Sequence, residues 1–249
     1  MGPLFIKLPG NFCGKSDLLH HLASVIMSKS ISNEAFSAIT EGSASICFPK
    51  GQVFYNPVQQ FNRDLSIAVI STFLKYNTGR QTDSNKIPTI FEGLSASGLR
   101  SIRYAKEIPN VKIIANDLDP FAVKTIMRNI EQNSNNDLDL HEIISTSAGD
   151  ANTVMYDLRR TRTELLVIDL DPYGSAVPFL DSAVQAIADG GLLCITCTDL
   201  AVLCAGHPET CFGKYGGLPL KGDACHEAVF HFTIRCIFLF RLSGWCCKR

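Results

Sequence analysis

The 249-residue sequence has no apolar run approaching the roughly 18 to 20 residues needed to cross a bilayer, which argues against a membrane-spanning protein. It has no excess of basic charge either. Against 24 Asp and Glu stand 23 Lys and Arg, for a net charge of −1, so no global field attracts nucleic acid. Any phosphate must therefore be met by a local patch or by another domain. The first 30 residues carry Lys7, Lys15 and Lys29 but no Arg, a composition that is only weak evidence for mitochondrial import, and an extension packed on the domain or a loose segment is expected instead. Internal repeats and low-complexity tracts are missing. The ten cysteines lack the clustering of a secreted disulfide framework, and several lie in apolar stretches that read as buried strands, so a reducing compartment is expected. Cys194 and Cys197 form a C-x-x-C inside GLLCITCTD. Positions three apart on a strand face opposite sides, which disfavours a shared metal.

What is present is an ordinary globular composition, 46% hydrophobic and 19% charged, in a length that fits one α/β domain with or without a small appendage. From Thr89 onward, short apolar runs alternate with helical patterns, which predicts βα repeats around a parallel sheet. Strands are expected at Pro88–Glu92, Val111–Asn116, Leu140–Thr146, Leu165–Asp169 and Leu192–Thr196. Helices are expected at Gly98–Glu107, from Pro120 to about Gln132, at Thr153–Arg160 and at Phe179–Ala188, with Gly190 and Gly191 closing the last. The fully apolar fourth strand reads as interior. The segment Thr40–Lys75 precedes this rhythm and reads as a substrate-side insertion.

In an open parallel sheet, ligands bind beyond the carboxyl ends of the strands. Those ends carry Glu92 in EGLSASGLR, Asp117 in ANDLDP, Asp150 in AGDAN, and Asp169 and Asp171 in DLDPYG. Each acid alone is equally well a helix cap; four in register at successive strands point to a site. A carboxylate about 20 residues after a glycine-bearing first turn suits ribose hydroxyls. The turn EGLSASG is not G-x-G-x-x-G, which favours a nucleoside with a carboxylate-bearing tail over a pyrophosphate and makes an NAD-dependent dehydrogenase a distant alternative. DLDPYG resembles the (D/N)-P-P-(Y/F) motif of methyltransferases that act on planar exocyclic amines. Such an amine is a poor nucleophile because its lone pair is delocalised into the ring. A carboxylate and a carbonyl that accept its hydrogens aim that lone pair, and an aromatic ring stacks the base. Asp171 is the expected acceptor, Pro172 fixes the turn and Tyr173 is the platform. The competing reading is a plain Asp-Pro turn after a strand.

VFYNPVQQFNRD, EGLSASGLRSIR, NDLDP, DLDPYG followed by TCTD, and KYGG with CHE together resemble the tRNA (guanine-26-N2)-dimethyltransferase family, over roughly Thr40–Ala228. The resemblance implies a Rossmann-like class I methyltransferase fold, an open, mostly parallel sheet with helices on both faces. It implies S-adenosyl-L-methionine as cofactor, tRNA as partner, no membrane, and a nuclear or cytoplasmic location with the mitochondrion as the alternative. It assigns Arg63 and Arg100 to the cofactor's methionine carboxylate, Asp117 to its ribose, and Asp150 and Ala151 to its adenine. Phe54 would sandwich the target guanine opposite Asp171, Pro172 and Tyr173. Taken by themselves, Arg63 could pair with a neighbouring acid and Phe54 could be core. His226 and Glu227 read as helix surface, and Arg159, Arg160 and Arg162 as a solvated helix end.

The sequence divides into an N-terminal extension at 1–39, a methyltransferase domain at 40–229 and an apolar tail at 230–249. The tail FHFTIRCIFLFRLSGWCCKR does not resemble the family. It implies a C-terminally truncated sheet lacking its sixth and seventh strands, with little activity on tRNA. Two other readings remain open: a non-catalytic fragment that binds the cofactor, and a methyltransferase acting on another planar amine or amide.

Overall fold

A computed structural model describes residues 36–49, 55–77, 86–135, 138–204, 206–219 and 222. Two strands open it, β1 (Phe36–Glu41) and β2 (Ala44–Pro49), paired antiparallel as a hairpin. In β2, ASICFP buries Ala44, Ile46 and Phe48 and turns the residues between them outward, the period-2 pattern of a strand with one face in the core. A short 3-10 turn, Pro57–Gln59, leads into α1 (Gln60–Asn77). The alternating units follow: β3 (Thr89–Glu92), α2 (Leu99–Glu107), β4 (Lys112–Asp117), α3 (Pro120–Asn133), β5 (Ile144–Ala148), α4 (Ala151–Arg160), β6 (Leu165–Leu170), α5 (Val177–Ala186) and β7 (Ile187–Ile195). Two short helices complete the described chain, α6 (Leu200–Leu203) and α7 (Pro208–Tyr215).

The five later strands form one parallel sheet in the order β5-β4-β3-β6-β7. The chain winds outward from β3 through β4 to β5, then returns to the other side of β3 with β6 and β7. The order therefore reverses between β3 and β6, and that switch point is where an open α/β sheet leaves a crevice. One sheet face is covered by the hairpin, α1, α2 and α3, with Ile46, Ile70, Ile102, Ile126 and Ile130 in its core. The other is covered by α4 and α5 through Met155, Ala183 and Ala186. Neighbouring β3 residues divide between them, Ile90 to the first core and Phe91 to the second. This is the expected doubly wound architecture. Among the described residues no helix is long and apolar enough to cross a membrane.

Two elements, β5 and β7, start more than two residues away from the sequence reading. Leu140–Glu142 is a 3-10 turn, because Asp139 caps it by accepting the His141 N–H at 2.9 Å, and the strand starts only at Ile144. Helix α5 stops at Ala186, and β7 begins at once with Ile187 opposite Leu165. The pairing then jumps to Val167 opposite Leu192, and the extra residues bulge out around Gly190, whose φ of +76° suits glycine. The glycines thus make a bulge within β7 and do not close a helix. The expected boundary between residues 39 and 40 falls inside β1.

Candidate active site

The carboxyl ends of β3, β4 and β6 open into a cleft of about 540 Å³, within the range usual for ligand sites. The loop after β3 forms its floor. Its backbone is held on both sides: Gly93 N–H donates to the Asp169 carbonyl at 3.0 Å and Ser95 N–H to the Asn116 carbonyl at 2.8 Å. Gly98 closes the loop with φ +78° and sits where a Cβ would come within 3.0 Å of Ile126, so glycine is required on both counts. Helix α2 starts immediately after it, with Arg100 in its first turn.

Asp117 lies at the end of β4, half-buried. Its Oδ2 accepts the Ala96 N–H at 2.8 Å and its Oδ1 the Asp119 N–H at 2.9 Å. Its neighbour Asn116 is fully buried and donates to the carbonyls of Gly93 and Gly149, each at 3.0 Å. One amide thereby ties together the loops that follow β3 and β5. Its Oδ1 has no hydrogen-bond partner among the described residues.

Both predicted arginines line the cleft, and each is already engaged. Arg63, on α1, grips the buried Glu41 with two prongs, Nε to Oε1 at 2.7 Å and Nη2 to Oε2 at 2.6 Å. Glu41 also accepts from Arg103 Nη1 at 2.7 Å and from the Tyr55 hydroxyl at 3.0 Å. Burial raises the Glu41 pKa, but the donors from Arg63 and Arg103 outweigh it, and the carboxyl ends below its ordinary value. Arg100 is 5% exposed. Its Nη1 donates to Ser66 Oγ at 3.0 Å, its Nη2 is ion-paired with Asp171 Oδ2, and Asp169 lies at 3.6 Å.

At the base of the cleft Glu92 is a buried lining residue, and behind the lining Asp169 and Tyr104 are buried too, with Tyr104 hydrogen-bonded to Asp169 and Ser101 to Glu92. Burial is the main reason that Glu92 is pushed up to about 7, with the Asp169 charge adding to it. Burial likewise raises Asp169, whose Oδ1 has no hydrogen-bond partner among the described residues.

Asp171, Pro172 and Tyr173 follow β6 and line the cleft with Thr198. Thr198 braces the turn, donating its N–H to the Gly174 carbonyl at 2.9 Å and accepting from Gly174 N–H at 3.2 Å. Tyr173 is 84% exposed.

Of the expected site residues, Arg63, Arg100, Asp117, Asp171, Pro172 and Tyr173 converge on this one cleft, and Asp150 and Ala151 are not among its lining residues. Asp150 is exposed and caps α4, accepting the Thr153 N–H at 3.0 Å, while Ala151 is buried in the core. Phe54, His226, Glu227 and the 230–249 tail lie outside the described residues. The basic cluster ends α4 and so lies at the opposite end of the sheet from the cleft; Arg160 pairs there with Asp157 at 3.3 Å. Cys194, on β7 opposite Asp169 of β6, packs against the first core, whereas Cys197 sits with Tyr215 in a cluster formed by α5, α6 and α7. The sequence reading missed Glu41, Tyr55 and Asn116. The alternating apolar residues of ASICFP were the one available sign that a hairpin, and with it Glu41, belongs to the core.

The model of the N2,N2-dimethylguanosine tRNA methyltransferase family matches residues 34–240. The chain belongs to that family. It is 43% identical to the tRNA (guanine(26)-N(2))-dimethyltransferase of Schizosaccharomyces pombe, over 87% of this chain and 46% of that protein. It is 39% identical to the mouse tRNA (guanine(26)-N(2))-dimethyltransferase, over 82% of this chain and 37% of that one. The chain thus spans less than half the length of these relatives. Among solved structures it resembles Trm1 from Pyrococcus horikoshii, determined in complex with S-adenosyl-L-methionine. The TM-score is 0.71 at 31% identity, over 82% of this chain and 54% of that one. The α/β, Rossmann-like fold expected from the sequence is the fold of that methyltransferase.

Proposed function

We propose that this chain carries the methyl-transfer site of an enzyme that uses S-adenosyl-L-methionine to methylate the exocyclic N2 amine of guanine 26 in tRNA, giving N2,N2-dimethylguanosine. The observation that supports this most is the meeting of Asp117, Arg63, Arg100 and Asp171 in one cleft at the switch point of the sheet. The donor set fits the cofactor. Each Asp117 oxygen accepts a single backbone N–H, which leaves acceptor capacity for the two ribose hydroxyls. Arg63 and Arg100 supply positive charge for a carboxylate, and the small residues of the loop after β3 let backbone come close.

When bound, S-adenosyl-L-methionine supplies a methyl group on an electrophilic sulfonium. The chain itself supplies position. Asp171 would accept a hydrogen bond from the guanine amine and aim its lone pair, and would take the proton that the amine loses as S-adenosylhomocysteine leaves; Pro172 fixes the turn that holds Asp171, and Tyr173 would stack the base. Phe54 is proposed as the second face of the base sandwich. Asp150 and Ala151 are proposed as the adenine end; the exposed Asp150 carboxylate keeps a free lone-pair direction beyond its capping bond. tRNA is the partner, and the compartment is one in which tRNA is modified: nucleus, cytoplasm or mitochondrion.

The test is methyl-labelled cofactor, purified chain and two tRNA transcripts, one with G26 and one with A26, followed by nucleoside digestion. Label in N2-methyl- and N2,N2-dimethylguanosine from the G26 transcript alone supports the reading. Label appearing equally with A26, or only in protein, moves the activity to another amine or amide. Cofactor binding with no transfer to either transcript leaves a binding fragment.

A further inference from the structure

Arg100 stands between two claims on its charge. Its guanidinium pairs with Asp171, the proposed acceptor of the amine hydrogens, yet it lines the same cleft that a carboxylate-bearing cofactor would enter. We propose that Arg100 holds Asp171 back in the empty site and yields it when a ligand carboxylate arrives, so that cofactor occupancy makes the acceptor site competent. This rests on the cofactor reading above.

The partners of Arg100 differ in their freedom to leave. Asp169 lies 3.6 Å from its Nη1, is fully buried and is pinned by the Tyr104 hydroxyl. Glu92 is buried behind it and bound by Ser101. Ser66 fixes Nη1 at 3.0 Å, so the guanidinium itself is anchored. Asp171 alone is partly open, its side chain 29% exposed, and it sits in a turn whose next glycine, Gly174, has φ +78°. One cation already faces two carboxylates, Asp169 and Asp171. A further carboxylate can approach it favourably only if one of those acids moves away, and Asp171 is the one able to do so.

Arg63 differs. Among the described residues it pairs with a single carboxylate, Glu41, which Arg103 also neutralises, so nothing there has to be expelled. Arg100 is thus a positioning residue that acts through Asp171. Because the competition is thermodynamic, removing the Asp171 charge must tighten any ligand that places a carboxylate on Arg100, and must leave ligands without one unchanged.

The experiment is calorimetric titration of the full chain, wild type and Asp171→Asn, with two probes. S-adenosylhomocysteine carries the carboxylate; 5′-methylthioadenosine keeps the nucleoside and lacks the amino-acid tail. Asp171→Asn should tighten S-adenosylhomocysteine by about fivefold or more, the low end of usual coupling strengths, and leave methylthioadenosine within twofold or so. In the Arg100→Gln background, Asp171→Asn should no longer change S-adenosylhomocysteine affinity. Unchanged or weaker S-adenosylhomocysteine binding by Asp171→Asn overturns the exchange, as does equal tightening of both probes. If wild type binds methylthioadenosine but gains nothing from the tail, Arg100 does not read a carboxylate and the exchange fails while the nucleoside site stands. If a folded wild type binds neither probe, the cofactor reading falls and takes this one with it.

Discussion

The Oδ2 of Asp117 accepts the backbone N–H of Ala96 at 2.8 Å, so the acid at the end of β4 also fixes the loop that follows β3. Ala96 has φ +47°, a conformation uncommon for a residue with a Cβ, and the Asp117 hydrogen bond helps hold it there. Asp117 therefore acts twice, as the proposed ribose acceptor and as the brace of the loop beneath the cofactor. Asp117→Ala should weaken S-adenosylhomocysteine binding by about 1.5 to 3 kcal/mol, the range for lost hydrogen bonds to a charged group. Calorimetry on the folded variant measures it, and an affinity within twofold or so of wild type removes Asp117 from the cofactor site.

Glu41 is the anion of a cluster that joins the hairpin to α1 and α2. It is buried, and it neutralises Arg63 and Arg103 at once. Arg103 keeps two further acids, Asp64 at 2.6 Å and Glu107 at 3.0 Å, but no other acid is paired with Arg63 among the described residues. Glu41→Ala should therefore destabilise the fold by about 3 to 5 kcal/mol, the usual cost of leaving a buried charge unpaired. Urea unfolding reads this directly. A loss below roughly 1 kcal/mol would mean that the pair is worth no more than a surface salt bridge.

Glu92 predicts a pH dependence of the opposite sense to ordinary acid denaturation. Its pKa in the fold is about 7 against 4.5 for the free side chain. Between those values the folded chain retains a proton that the unfolded chain has lost, so stability falls as pH rises through this window and is lowest above it. The shift corresponds to something on the order of 3 kcal/mol. Burial raises Asp169 in the same direction, so wild type alone does not isolate the effect. The difference in unfolding free energy between wild type and Glu92→Gln, followed from pH 4 to pH 8, does. A difference that stays flat with pH refutes the assignment to Glu92.

The parts of the fold that were legible in the sequence are those governed by local rules. Alternating apolar runs announced the parallel sheet, Pro120 announced the start of α3, and acids at strand ends marked the cleft. The parts that were not legible depend on distance or on competition. Arg100 and Asp171 are 71 positions apart, and no periodicity links them. Arg63 and Glu41 meet only because the hairpin folds back over α1. Leu140 looks like the start of an apolar strand, but the Asp139 cap makes a 3-10 turn locally cheaper. Asp150, proposed for the adenine end, also caps α4 in the fold, a local role that its place at a strand end left open.

The final prediction separates chemistry from stacking within DLDPYG. Asp171 and Tyr173 are two positions apart, on the same turn, and both line the cleft, yet their proposed roles fail differently when removed. Asp171 supplies one fixed electrostatic contact to the reacting amine. In any form of the protein that methylates tRNA, Asp171→Ala should cut single-turnover methyl transfer at saturating cofactor by about 100- to 1000-fold. Tyr173 offers a ring that is 84% exposed and contributes position. Tyr173→Ala should weaken base placement by about 1 to 3 kcal/mol, and Tyr173→Phe should restore most of it, because a phenyl ring stacks without the hydroxyl. Rapid-quench measurement of label transfer to a G26 transcript distinguishes the two. Survival of the Asp171→Ala rate within a few-fold of wild type would remove Asp171 from the reacting centre. Failure of Tyr173→Phe to outperform Tyr173→Ala would show that the hydroxyl matters and the ring face does not.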